Sequence, residues 1–152
     1  MLIGKERHDI GRPNDAGYPV RAIRTPEYLY VRNYEPERWP AGNPETGYRN
    51  VDDSPTKQAI LARFDENYRR SFGKRTSEEL YLIKTDPECM NNLAHDLKYV
   101  AVKRKLLERM EELLRAEGDP RMLGNERFFD TIRYFGQRNH SYDAWLEHSK
   151  AQ

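Results

Sequence analysis

From about Leu93 to Ala116 apolar side chains recur at helical spacing. Leu97, Val100, Leu107 and Leu114 fall along one side, and Val102, Leu106, Met110 and Leu113 widen the stripe. A helix over 93–117 with so continuous an apolar face must lie on another layer, which rules out most arrangements that leave it alone in solvent. Asn91 or Asn92 can cap its start, and Gly118 stands where a left-handed closing residue belongs.

The layer beneath it is read from three β-rich runs. Residues 18–34, "YPVRAIRTPEYLYVRNY", divide around "TPE", where Pro26 presets a turn dihedral, and form a hairpin. In its second run Leu29 and Val31 point one way while Tyr28, Tyr30 and Arg32 point the other; the first run sets Val20 and Ala22 against Arg21 and Ile23. "ELYLIK" is a third strand over 79–84, stopped by Asp86 and Pro87. Ser54 and Pro55 open a helix over 55–73 with Ile60, Leu61, Phe64 and Tyr68 at helical spacing and Gly73 as its stop. Between hairpin and helix lies a long loop, 35–54, rich in proline and glycine, of the kind that is usually functional or wraps something. The segment 1–17 and the tail 118–152 read as irregular, apart from a short terminal helix over Tyr142 to His148. The expected fold is α+β: one domain, with a small antiparallel β-sheet of three or four strands packed against the long helix. The other face of the sheet then needs a cover or water.

Composition bounds the core and the partners. Only 37% of the 152 residues are hydrophobic and 34% are charged, with mean hydropathy −1.03, against roughly 45–50% and about 25% in ordinary domains. Such a chain fills a thin core, yet a net charge of +1 and 11% aromatics argue for a folded piece, one that leans on a second domain. The balanced charge gives no electrostatic case for nucleic acid or an anionic membrane, and no apolar run is long enough to cross a bilayer. Cys89 is alone, which excludes an internal disulfide and a cysteine metal cluster.

Few residues carry chemistry. His8, His95, His140 and His148 lack metal-ligand spacing, and nucleophile-elbow, dinucleotide and P-loop motifs are missing. "GKERHD" groups Lys5, Arg7, His8 and Asp9, either a charged surface turn or, in a cleft, an anion site with a proton-shuttling imidazole. Arg21, Arg24 and Arg32 interleave with Tyr18, Tyr28 and Tyr30, which suits either nucleic-acid stacking or the wet face of a hairpin.

The order of segments resembles the C-terminal subdomain of the type I, formylglycine-dependent sulfatases. Many of these end in a sequence like "ELYDL", a spacer, "DP" and "NLA" before a long helix. Here the counterparts are Glu79 to Ile83, Asp86 with Pro87, and Asn92 to Ala94, with Leu82 where the family usually has aspartate. "GKERHD", "YPVRAIRT", "YLYVRNYEPERWPAGNPETGY", "DDSPTK" and "GDPRMLGN" are similar to the bacterial heparan N-sulfatase (sulfamidase-like) branch in particular.

That resemblance implies a C-terminal, substrate-binding portion of a periplasmic or secreted enzyme that hydrolyses sulfate esters or N-sulfates of glycans. Its partners are then an N-terminal catalytic domain, which supplies formylglycine and calcium, and a sulfated glycan. The formylglycine motif "CxPxR" or "SxPxR" does not occur here, and Cys89 is followed by "MNN". No catalytic residue, cofactor or metal ligand is therefore expected in this chain. The resemblance implies substrate contacts for Arg7 and His8, with Lys5 and Asp9 beside them, and for Arg38, Trp39 and Glu45 of the long loop. A reading of another class is a stand-alone binding or scaffold module for acidic glycan or nucleic acid, without enzymatic activity.

Overall fold

A computed structural model describes residues 1–7, 10–136 and 141–151 of the chain. The fold is α+β: four strands in the order β1-β2-β3-β4, every neighbouring pair antiparallel, with a long helix across one face. The hairpin is formed by β2, Val20–Arg24, and β3, Leu29–Asn33. β1, Leu2–Lys5, lies within a segment expected to be irregular; four residues are too few to show a period, and the strand exists because β2 supplies its hydrogen-bond partners.

Register aligns Leu2, Ile23, Tyr30 and Leu80 in one row across the sheet, and this row faces the helix. The core face of β3 thus carries Tyr30 rather than Leu29 and Val31, which look out from the opposite face. Tyr30 is buried because its hydroxyl donates to Glu78 Oε1 at 2.7 Å, so the ring packs without stranding its polar tip. Tyr18 and Arg21 are buried too, so the arginine–tyrosine hairpin forms neither a stacking platform nor a solvated face.

β4 covers Glu78–Tyr81 instead of 79–84, because the Leu82 carbonyl accepts from the N–H groups of Thr85 and Asp86 and turns the chain away. Asp86 then accepts from the N–H groups of Met90 and Asn91. Asn92 does not cap the long helix: its Oδ1 accepts from Leu80 N and Ala94 N, tying the loop to the outer edge of β4. A 3-10 turn over Leu97–Tyr99, capped by Asp96, precedes the long helix, which spans Val100–Ala116 rather than 93–117. Gly118 has the expected left-handed φ of 74°. Leu106, Met110 and Leu114 form the buried centre of the stripe, whereas Leu97, outside the helical phase, is 86% exposed.

The expected helix over 55–73 is two. α1, Pro55–Arg63, is capped by Ser54, and α2, Glu66–Phe72, follows a left-handed Phe64. Asp65 imposes the break by accepting from the N–H groups of Asn67 and Tyr68, starting a new helix where the pattern reads on. Ala41, Tyr48 and Phe72 form a second small core there, flanked by Trp39, Ile60, Leu61 and Tyr68. Continuing the numbering, the long helix Val100–Ala116 is α3. The tail is less irregular than expected: before the expected terminal helix, which runs over Tyr142–Lys150 and is α5, it holds a 3-10 turn, Pro120–Leu123, and a short helix, α4, Phe128–Thr131.

One buried charge cluster joins these parts. Arg21 of β2 pairs with Glu6 at 2.6 Å and with Asp119 at 2.7 Å, while Arg121 grips Glu6 through both oxygens at 2.8 and 2.9 Å. Arg21 lies over the Phe129 ring and Arg121 over the Tyr34 ring. Two cations and two anions cancel, so the cluster can be desolvated as a unit while a single member cannot.

Three outcomes follow for equilibrium denaturation. Met110→Ala is expected to cost about 2–5 kcal/mol by leaving a cavity, and Leu97→Ala to stay within about 0.5 kcal/mol. Glu6→Ala, which strands the Arg121 guanidinium and leaves Arg21 with Asp119 alone, is expected to cost about 3–5 kcal/mol; a cost near zero would show the cluster to be ornamental. Burial works against the charge of Glu78, but hydrogen bonds from Lys103 and Tyr30 outweigh it and hold the pKa below the usual carboxylate value. A depressed folded-state pKa stabilises above the unfolded pKa and is lost as pH falls through the folded one. Glu78→Gln should flatten the loss of stability on acidification below about pH 4.5; an unchanged acid limb in pH-dependent melts would contradict this.

Candidate functional site

The segment 6–17, the loop 35–54 and the tail are woven together, and the weave decides where the expected site residues lie. Arg12 is buried and donates to the carbonyls of Trp39 at 2.6 Å, Pro40 at 2.7 Å and Ala16 at 3.3 Å, pinning the loop onto the N-terminal segment. Gly11 N donates to Asn50 Oδ1 at 3.0 Å, and a Cβ at Gly11 would stand only 2.2 Å from that oxygen. Here glycine is required by close approach. Tyr142 N donates to the Ile10 carbonyl, which docks the start of α5 on the same segment.

Among the expected residues, Arg7 and Arg38 both meet the tail. Arg7 donates to the Ile132 carbonyl and lies over the Tyr134 ring; Arg38 pairs with Asp130 at 3.3 Å and donates to the Gly17 carbonyl at 2.9 Å. Asp130 also accepts from Gly17 N, so one carboxylate gathers the loop and the N-terminal segment. Trp39 belongs to the second core, edge-on to Tyr48 with Lys74 over its indole. Glu45 is exposed and accepts from Asn43 Nδ2 and the Tyr142 hydroxyl. Desolvation opposes its charge, and these bonds with its own backbone N–H prevail, so its pKa is lowered. Lys5 stands on the open face of the sheet, away from the helix. His8 and Asp9 lie outside the described residues.

Beside Tyr134 a polar cleft of about 650 Å³ opens between the end of the long loop and α1, lined by Gly47, Arg49, Asp52, Lys57, Gln58 and Tyr134. Lys57 is committed to structure: its buried ammonium donates to the Val51 carbonyl at 2.8 Å, the Tyr48 carbonyl at 3.3 Å and Asp53 at 3.0 Å. Arg49 is half-buried and, among the described residues, has no hydrogen bond or ion pair. Asp52 and Asp53 also line the cleft, but neither pairs with Arg49, so its guanidinium keeps its donors for a planar or tetrahedral anion. Sequence reasoning missed Arg49 and Tyr134. The first sits between two recognisable segments without a motif of its own, and the second is brought there only by the tail.

Among the described residues no group of three His, Cys, Asp or Glu side chains is disposed to hold a metal ion. No helix among them is long and apolar enough to cross a membrane.

No family model matches the chain. An ulvan-active sulfatase from Formosa agariphila is 29% identical over 106 residues, which is 70% of this chain and 19% of that enzyme. An uncharacterised protein from Haemophilus influenzae is 36% identical over 55 residues, 36% of this chain and 28% of that protein. The chain thus spans between about a fifth and a third of the length of the curated relatives it matches. About 70% of the chain is thus similar to part of a sulfatase.

Proposed function

We propose that this chain is the C-terminal, substrate-binding portion of a larger sulfatase that removes sulfate from glycans, on the heparan N-sulfatase-like branch. The observation that carries the reading is the cleft with its unpartnered Arg49, next to Arg7 on Tyr134, in a chain similar over much of its length to part of a sulfatase. Arginine forks suit sulfate and carboxylate groups, and Gln58 and Tyr134 add neutral hydrogen bonds that tolerate either charge state of a sugar substituent.

In this reading the chain positions substrate and does no covalent chemistry. Formylglycine and calcium belong to the N-terminal catalytic domain, its partner; the residues here do not fit either group. Cys89 is followed by Met90, Asn91 and Asn92, and its thiol pKa is pushed up by desolvation and by nearby Asp86, Glu79 and Glu88. A raised pKa keeps the less nucleophilic thiol form. Arg7, Arg38, Trp39 and Glu45, with Lys5, His8 and Asp9, shape the approach to the glycan, and Arg49 is added to them as the anion anchor.

The purified chain is expected to bind a sulfated oligosaccharide in a salt-dependent manner and to leave a chromogenic sulfate ester intact. Arg49→Ala should weaken that binding about tenfold or more, since hydrogen bonds to charged groups contribute about 1.5–3 kcal/mol. Hydrolysis by the chain itself, or equal affinity for the desulfated oligosaccharide, would refute the assignment. Tight binding to nucleic acid with none to sulfated saccharide would transfer support to a stand-alone binding module.

A further inference from the structure

The helix covers one face of the sheet, and on the other face a concavity of about 630 Å³ remains. Its floor is apolar, made by Val20, Leu29 and Val31. Over that floor stand three polar groups whose state is unusual. Tyr18 is 2% exposed, yet its buried hydroxyl has no hydrogen-bond partner. A hydroxyl without a partner is uncommon in a folded interior, since its desolvation is then uncompensated. Glu79, 9% exposed, is aimed by two neutral donors, Asn33 Nδ2 at 2.7 Å and the Tyr81 hydroxyl, which leaves lone pairs on both carboxylate oxygens. The Lys5 ammonium stands at the rim with no hydrogen bond or ion pair among the described residues.

Of the other cations around the rim, Arg70 pairs with Glu66 at 2.9 Å although its Nε makes no hydrogen bond, Lys74 pairs with Glu37 at 3.2 Å, and Arg75 donates to the Arg70 carbonyl. Around the apolar strip itself stand one buried donor, one aimed carboxylate and one ammonium. A sulfate or phosphate placed over the strip would meet the carboxylates of Glu79 and Glu88. Sugar hydroxyls both accept and donate, which matches Tyr18 and Glu79 together, and the C–H face of a sugar ring matches the strip. The volume lies within the range of small-ligand sites, about 300–1,000 Å³.

We propose that the open face of the sheet is a binding site for an uncharged saccharide unit, with the Tyr18 hydroxyl as donor, Glu79 as acceptor and Lys5 at the rim. The site is separate from the Arg49 cleft and stands whether or not that cleft binds sulfate. Tyr18 also belongs to a strained balance: burial, and then Glu79, push its pKa up to about 12, so it remains a donor throughout the physiological range.

The test is a titration of the whole chain, followed by amide NMR shifts, with unsulfated methyl glycosides and disaccharides and with their sulfated counterparts. Shifts at Val20, Leu29 and Val31 with the neutral sugars are expected. Tyr18→Phe should weaken binding about tenfold, Glu79→Gln should weaken it as well, and Lys5→Ala should act more mildly. Because Tyr18→Phe deletes a hydroxyl that has no partner in the free protein, this variant should melt at or above the wild-type temperature. Loss of binding with retained melting supports the site. Identical binding by Tyr18→Phe, a lowered melting temperature for it, response to sulfated sugars alone, or no response to any sugar, as when this face serves only to dock a protein, would each overturn the proposal.

Discussion

Everything about this fold turns on a neutralised charge cluster that has been taken out of water. Glu6, Arg21, Asp119 and Arg121 come from the exit of β1, the start of β2 and the corner after α3, so the four cannot meet unless sheet, helix and tail are already in place. Paired, they cancel; separated, each would be an uncompensated buried ion. A chain with only 37% hydrophobic residues has little apolar area to fix the relation of helix to sheet, and the cluster supplies geometric specificity that a thin core does not.

The same cluster explains what the recognisable segments report. Glu6 lies in "GKERHD", Arg21 in "YPVRAIRT", and Asp119 and Arg121 in "GDPRMLGN". In "DDSPTK", Ser54 caps α1 and Lys57 holds the loop carbonyls; in "NLA", Asn92 ties the loop to β4. These segments hold the fold together, whereas Arg49 lies between two of them and Tyr18 opens one. Similarity in such residues is evidence for architecture first, and chemistry has to be sought in groups that architecture leaves unsatisfied.

The hairpin, the capped start of α1 and the existence of the long helix were legible because each rests on local rules of period, turn and cap. What failed to show was set by partners distant in sequence. β1 is a strand only because β2 lies beside it, and Tyr30 faces the core only because Glu78 receives its hydroxyl. Phe64 reads as the next step of a helix until Asp65 claims the following N–H groups. In the candidate site, Arg7 and Arg38 are brought to the tail by Ile132 and Asp130, nearly a hundred positions or more away, at a range where pattern carries no information.

Asn92 has a further consequence, for solubility. Its side chain accepts from Leu80 N while Leu93 N donates to the Leu80 carbonyl, so the outward hydrogen-bonding groups at the centre of β4 are already occupied. A foreign strand cannot add along that edge without first displacing the loop. The opposite edge, β1, is four residues long and ends in Lys5, too short and too charged to template another chain. A small sheet with one open face is thereby kept from growing sideways, at one border by an asparagine and at the other by brevity.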